Sequence, residues 1–272
     1  MSSTAPAPSP QQVPATWDAV APTYAEDIGQ WTDYAEEALR TLRVGPEDRV
    51  LDVATGPGTL AFAAAKLAKQ VNAIDFSPGM IAELEARAAR EGVQNVTATV
   101  MDAQELIFPD ASFDAAFCLF GCFFFPDRPK AFGELRRVLR PGGRALIATW
   151  APIERRPIMK LAFDAMAEAL PQLPRPAKGD LQAPEECVRE LTDAGFSDVA
   201  THAFTASVHF ESAERYLETI VRSAAPFALM KKRLDEAAWN STLARLLDAL
   251  SPRFPAGGLE LSAEALITTG KR

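Results

Sequence analysis

Between residues 50 and 149, short apolar runs alternate with helical patterns, and this alternation constrains the chain more than any other feature. The runs are RVLDVA from Arg49, QVNAID from Gln70, NVTATV from Asn95, FDAAFCLF from Phe113 and RALIATW from Arg144. Between them, residues 60–67 are rich in alanine, and residues 80–90 place Ile81, Leu84 and Ala88 at helical spacings. Residues 131–139 gather Leu135, Val138 and Leu139 on one face. Ser77 is a good N-cap, with Pro78 at the first helical position, where its missing N–H costs nothing. Arg140-Pro141-Gly142-Gly143 should stop the preceding helix in a turn that needs positive φ. Strands joined by helical crossovers form parallel pairs with a right-handed connection. The fold class is therefore α/β, doubly wound.

The rest of the chain departs from this rhythm. Residues 197–210 and 259–269 read as strands, and the segment between them, from Glu211, reads as helical, with Tyr216, Leu217, Ile220, Val221, Trp239, Leu243, Leu246 and Leu250 in its apolar stripes. Pro171 to Pro184 holds four prolines and reads as a surface connector, too short to separate two domains. The first fourteen residues, MSSTAPAPSPQQVP, carry neither a basic nor an apolar block, so they read as a disordered tail and not as a signal peptide.

Charge and cysteine content remove several functions. Acidic residues number 36 against 28 basic ones, a net charge of −8, which repels phosphate backbones, so no nucleic-acid partner is expected. Three cysteines (Cys118, Cys122, Cys187) and two histidines (His202, His209) support neither a disulfide framework nor a zinc site, and fit a reducing cytoplasm. No run reaches the eighteen apolar residues of a membrane span.

The candidate chemistry begins where the first strand ends. VLDVATGPG puts Gly56 and Gly58 after a strand and before a helix, where a backbone can approach a ligand closely and offer it free N–H groups. Gly56-x-Gly58-x-x-Ala61 also satisfies a dinucleotide spacing. Three carboxylates add to it. Asp52 sits inside the first strand end, Asp75 closes the second strand nineteen residues after Gly56, and Asp102 follows the third. All three fall at the carboxyl edge, where open α/β sheets bind ligands. Such a row suits a ligand with a cationic amino-acid end, a ribose and an adenine better than an uncompensated pyrophosphate.

With these residues in place, the chain resembles the class I S-adenosylmethionine-dependent methyltransferases, and is most similar to the small-molecule branch containing the ubiquinone and menaquinone C-methyltransferases. The resemblance runs from Trp17 through nearly the whole chain. It rests on Trp17-Asp18-x-Val20-Ala21 with Tyr24, VLDVATGPG, Asp75-Phe76-Ser77-Pro78-Gly79-Met80, Met101-Asp102-Ala103-Gln104, Phe113-Asp114, Phe120-Gly121 and ELRRVLRPGG. It implies a Rossmann-like seven-stranded sheet, mostly parallel with the last strand antiparallel, in one domain over residues 15–272. Residues 211–256 would be a helical substrate lid inserted between the last two strands.

The resemblance also implies a cofactor, S-adenosyl-L-methionine, and a set of residues for it. Ala54, Thr55, Gly56 and Gly58 would lie under its methionine part, with Asp52 supporting the loop and the amino group. Asp75 would hold the ribose hydroxyls, Phe76 and Met80 would sandwich the adenine, and Asp102 and Ala103 would meet its nitrogens. The carbonyl near Leu119 would receive the ammonium, and Tyr24 would cover the sulfonium. Ala54 departs from the family, many of whose members carry glycine there; a negative φ would let alanine serve.

The implied reaction is in-line methyl transfer, by O- or C-methylation, to a small apolar or aromatic acceptor. Phe120 and Phe123, on the aromatic run that leaves the fourth strand beside Gly121, are expected to line the acceptor site, together with His209 at the end of the sixth strand. His209 is the one imidazole placed for a general base, against the plainer reading of an exposed or structurally bonded histidine; no catalytic residue and no metal site is assigned. Two other readings stay open on the residues alone. A nicotinamide-dependent oxidoreductase would explain the glycine loop and Asp75 but not Asp102, and a catalytically silent S-adenosylmethionine-binding protein would need no base at all.

Overall fold

The computed structural model describes residues 9–26, 32–172, 180–223, 227, 230, 231 and 233–272. Helices α1 (Pro14–Asp18), α2 (Ala21–Glu26) and α3 (Thr32–Leu42) precede β1 (Arg49–Val53). The alternation then runs α4 (Thr59–Ala65), β2 (Gln70–Asp75), α5 (Pro78–Glu91), β3 (Val96–Val100), β4 (Phe113–Leu119), α6 (Arg128–Val138) and β5 (Leu139–Trp150). The C-terminal part adds α7 (Pro157–Ala169), α8 (Pro184–Asp193), β6 (Ser197–Phe210), α9 (Ala213–Ser223), α10 (Glu236–Leu250) and β7 (Leu259–Lys271).

The seven strands form one sheet in the order β3-β2-β1-β4-β5-β7-β6. The first five pair in parallel, and β7 runs antiparallel between β5 and β6. This is the doubly wound architecture expected, with β7 as its reversed strand. The order reverses between β1 and β4, which opens a crevice at the carboxyl ends of the strands there.

Side chains alternate along each parallel strand, so one strand feeds two cores. Val50, Val71, Ala73, Ala115, Phe117, Leu146 and Ala148 pack beneath α3 and α4, against Tyr34, Leu39, Leu60 and Phe62. Leu51, Val53, Ile74, Ala116, Cys118 and Ile147 pack on the other face against Phe132, Leu135, Val138, Cys187 and Leu191 of α6 and α8. Strands buried on both faces must be apolar throughout, which is why these runs are legible as strands. Ser77 caps α5 as its sequence foretells, its hydroxyl accepting from the Met80 N–H at 3.1 Å.

A third core lies beyond the parallel sheet. Ala162 and Ala165 of α7, Tyr216 and Ile220 of α9 and Leu246 and Leu250 of α10 close over Phe210, Leu261 and Ala263. The helical insertion thus packs with α7 and the ends of β6 and β7, and α9 reaches α2. Among the described residues, no helix is long and apolar enough to cross a membrane.

Three local expectations change. The segment Arg140-Pro141-Gly142-Gly143 carries the positive φ at Gly142 (75°), yet it belongs to β5 and not to a free turn. The β4 ladder absorbs it by a shift between Phe113↔Leu139 and Ala115↔Arg144, and Arg272 holds it by donating to the Gly143 carbonyl (3.0 Å) and accepting from the Gly142 N–H (3.2 Å). Of the expected disordered tail, residues 1–8 lie outside the described residues, but residues 9–14 are structured. Pro10–Gln12 form a 3-10 turn, whose Gln11 carbonyl accepts from the Trp17 indole N–H at 2.9 Å. Of the proline-rich connector, residues 173–179 lie outside the described residues; Leu181 within it is no surface residue but is buried against α6 and α8.

Candidate functional site

The ends of β1, β2 and β4 and the turns after them enclose a cavity of about 200 Å³ at the crevice. Its walls bring together Tyr24, Asp52, Ala54, Thr55, Gly56, Asp75, Phe76, Met80, Asp102, Ala103, Leu119 and Phe120, residues scattered over the first 120 positions. Gln11, Gln12, Trp17, Gln104 and Phe124 complete it.

The floor is the turn after β1. Asp52 is 2% exposed and accepts from the Thr55 hydroxyl at 2.7 Å. Asp75 accepts from the Gly56 N–H at 2.9 Å and the Ser77 N–H at 3.0 Å, so one carboxylate ties the β1 and β2 turns together. Gly56 has φ 55°, a conformation that favours glycine. Burial pushes the Asp52 carboxyl up to about 7, with the Asp75 charge adding to it against the Thr55 hydrogen bond. Burial likewise raises Asp75 to about 6, against three backbone hydrogen bonds. Neither carboxylate has an ion-pair partner among the described residues, so a cationic group entering the cavity would meet charge that has been desolvated in advance. Among those residues no cluster of three His, Cys, Asp or Glu side chains could hold a metal ion.

Asp102 is exposed and differs from the other two: Gln104 donates to it from its backbone N–H (2.8 Å) and from its side-chain amide (3.0 Å to each oxygen). Sequence motif alone gives Gln104 no role of its own, although a side chain two residues beyond a strand-end aspartate is well placed to fold back on it.

The roof is the N-terminal cap. Val20 and Ala21 pack on Met80, with Trp17 and Tyr24 against them. Trp17 meets Tyr24 edge-on at 6.3 Å and Phe124 at 5.4 Å. Asp18 fastens the cap, accepting from the Ser77 hydroxyl (2.6 Å) and the Gly79 N–H (2.8 Å). A Cβ on Gly79 would stand 2.8 Å from the Asp18 backbone, so glycine is what lets the cap seat. Burial, then the Asp75 charge, pushes the Tyr24 phenol up to about 12.

Three expected residues lie off the cavity, and a fourth, Ala54, lines it with an unexpected backbone. Gly58 does not line the cavity; it caps α4 with φ 92°, and a Cβ there would stand 2.8 Å from Phe62. Phe123 turns into the core beneath α6, leaving its neighbours Phe124 and Phe125 at the cavity. His209 lies outside the cavity lining: alternation on β6 buries Phe210 and leaves His209 half-exposed, its Nδ1 3.8 Å from Glu260. The burial of Phe210 was legible in its apolar character and could have placed His209 on the opposite face. Ala54 lacks the negative φ expected of it. Its φ is 55°, left-handed, a conformation that costs an L-residue roughly 1–2 kcal/mol.

Gly121 makes the room that the Ala54 side chain needs in this conformation. A Cβ on Gly121 would stand 2.4 Å from the Ala54 Cβ, so the side chain that Ala54 adds occupies the space Gly121 leaves. The sharp exit from β4 belongs to Phe120, at φ 59°, while Gly121 itself has φ −108°. Phe120 is thereby turned onto Trp150, the rings stacking at 4.0 Å and 13°.

A methyltransferase-domain family model matches residues 50–143, from β1 into β5. The demethylmenaquinone methyltransferase of Mycobacterium sp. (strain KMS) is 33% identical over 172 residues, 61% of this chain and 72% of that protein. The aklanonic acid methyltransferase DauC of Streptomyces sp. (strain C5) is 34% identical over 167 residues, 55% of this chain and 75% of its own. The chain spans about half the length of some curated relatives, three mycobacterial proteins 36% identical over 131 residues. The solved structure of the [4+2]-cyclase SpnF shares the fold over 100% of this chain and 99% of that one, with a TM-score of 0.62 at 20% identity. With strand order, cavity and sequence likeness agreeing, the chain belongs to the class I S-adenosylmethionine-dependent methyltransferase family.

Proposed function

We propose that this protein transfers a methyl group from S-adenosylmethionine to a small, largely apolar or aromatic acceptor, at oxygen or carbon, in the cytoplasm. The observation that carries this reading is the pair of buried carboxylates, Asp52 and Asp75, at the floor of a cavity roofed by aromatic side chains. When bound, the cofactor supplies an electrophilic methyl on a sulfonium. Asp52, Thr55 and the turn through Ala54 and Gly56 would hold its methionine end, with the Leu119 carbonyl at the ammonium. Asp75 would take the ribose hydroxyls, Phe76 and Met80 the adenine faces, and Asp102 and Ala103 the adenine nitrogens.

The remaining work of the chain is alignment and exclusion of water. Holding two reactants in line removes roughly 7–11 kcal/mol from a barrier. Trp17, Tyr24, Phe120 and Phe124 form the apolar side of the cavity and would keep it dry. Tyr24, with its phenol raised to about 12, stays protonated near neutrality and covers the site without taking a proton. Residues 15–272 act as one unit in this reading, with 211–256 as the acceptor-side cover through α9 and α2. Two relatives bear names built on small organic molecules, which supports an acceptor of that size.

Parallel calorimetric titration with S-adenosylhomocysteine, S-adenosylmethionine and NAD, followed by transfer from methyl-labelled cofactor to a panel of quinols and aromatic acids, tests the proposal. Binding of the two sulfur nucleotides and labelled product are expected; binding of NAD alone overturns it. A second reading, cofactor binding without methyl transfer, draws support from the placement of His209 outside the cavity. Tight binding with no labelled product across the panel would favour it.

A further inference from the structure

Many arginines whose side chains are described have an acidic partner, among them Arg40, Arg87, Arg128, Arg137, Arg144, Arg155, Arg215 and Arg253. Arg156 does not. It is half-buried at the start of α7, just beyond the carboxyl end of β5, and its Nε is shut off from solvent with no hydrogen-bond partner among the described residues. Its guanidinium lies 5.7 Å from the centre of the Trp150 ring. Neighbouring Arg155 pairs instead with Glu264 at 2.7 Å. Burial holds the Arg156 pKa below its ordinary value, and the groups whose fields reach it are Glu154, which makes no bridge to it, and the Tyr34 phenol.

Place gives this cation its meaning. Trp150 ends β5 at the same sheet edge where β1, β2 and β4 end over the cofactor cavity. Phe120 stacks on Trp150 and lines that cavity, and Tyr34 meets both rings edge-on at 5.3 and 5.5 Å. An aromatic panel therefore runs from the cavity wall to Arg156, which does not itself line the cavity and has, among the described residues, none of the carboxylate partners that a half-buried guanidinium calls for. Arginine at such a site is suited to a planar anion, which it can grip through two parallel N–H bonds.

We propose that Arg156 anchors an anionic oxygen, a carboxylate or ionised hydroxyl, of an aromatic acceptor whose ring enters the cavity along Phe120. This deepens the methyl-transfer reading and rests on it: the anchor selects the acceptor and orients it, while Arg156 itself touches no reacting bond. A neutral acceptor of the same shape lacks the grip.

The test uses the full chain saturated with S-adenosylhomocysteine, titrated calorimetrically with 1-hydroxy-2-naphthoate and, as the neutral match, 1-naphthol. The naphthoate is expected to bind about 10–100-fold more tightly, the range that hydrogen bonds to a charged group supply. Arg156→Gln should erase that preference while leaving 1-naphthol and S-adenosylhomocysteine affinities within about twofold, and Arg156→Lys should keep part of it. Equal affinity for the two probes in the parent chain, or no binding of the naphthoate, overturns the anchor. So does an Arg156→Gln protein that loses both probes alike. Failure of the methyl-transfer reading shows separately, as absent S-adenosylhomocysteine binding or absent labelled product from a protein that still prefers the naphthoate.

Discussion

The cavity floor and the C-terminal helical core of this molecule solve opposite problems. Around β1, β2 and α5 the structure buries charge: Asp52 and Asp75 are held in the cavity floor by Thr55, Gly56 and Ser77, their carboxyls raised by desolvation. Around α7, α9 and α10 it buries apolar surface, in a core of Tyr216, Ile220, Leu246 and Leu250 with few ionisable groups inside. The first region gives up stability by desolvating two carboxyls; the second supplies stability and shape. The family model covers the first and stops in β5, before the second begins. A carboxylate at a strand end is a demand on one residue type, whereas an apolar core needs only the right volume, and many sequences provide that.

If the two regions are energetically separate, a cavity in one should leave the other intact. Leu246→Ala, at a position 1% exposed, should cost roughly 2–5 kcal/mol of unfolding free energy in urea titration while S-adenosylhomocysteine affinity stays within twofold. A parallel loss of cofactor affinity would break the separation.

The converse change should stabilise. With its folded pKa raised from near 4 to about 7, Asp52 keeps in the folded state a proton that the unfolded chain has released. Its contribution to stability is thus progressively lost as pH rises from about 4 to about 7, and the full cost stands above that. Asp52→Asn should therefore exceed the parent in stability by a margin that grows over this window and levels at roughly 2–4 kcal/mol. Cofactor affinity should move the other way, rising with pH in the parent as Asp52 ionises and staying flatter in the variant. Thermal melts and calorimetry at pH 5.5 and 7.5 read both, and a pH-independent stability margin would contradict the account.

Asp75→Ala removes a carboxylate that two backbone N–H groups already use. It should weaken S-adenosylhomocysteine binding by about 10–100-fold, measured by calorimetry, and leave the third core's contribution to stability unchanged. The smallest expected effect tests the Ala54–Gly121 pair. Gly121→Ala should cost about 1–3 kcal/mol from overpacking, and adding Ala54→Gly should restore most of it. Additive costs in the double variant would show that the two positions do not share one space.

The strands of the parallel sheet were legible because they are buried on both faces, and β6 because Phe204, Ala206, Val208 and Phe210 alternate inward along it. The carboxylates were legible because an aspartate at an otherwise apolar strand end is out of place unless something uses it. The order of residues 9–14 was not legible. SPQQVP has no periodicity, and its conformation depends on Trp17 and the cavity mouth, contacts local sequence does not encode. Phe123 and Phe124 were indistinguishable, since neighbours in one apolar run differ only in which way a 3-10 turn points them.

Local pattern determined the parallel strands and the edge at which chemistry would sit; the reversed last strand was foreseen only through the family resemblance. Strands and edge follow from burial periodicity and the position of charge along the chain, which are one-dimensional. Tertiary structure alone decided that Ala54 is left-handed and made possible by Gly121, that His209 lies outside the cavity lining, and that Asp18 bolts the cap to the Ser77–Gly79 turn. It also decided that Arg156 stands, among the described residues, without an acid partner beside the Phe120–Trp150 stack. Each is a relation between residues distant in the chain or a choice of dihedral at one position, and close packing settles such relations only once every neighbour is in place.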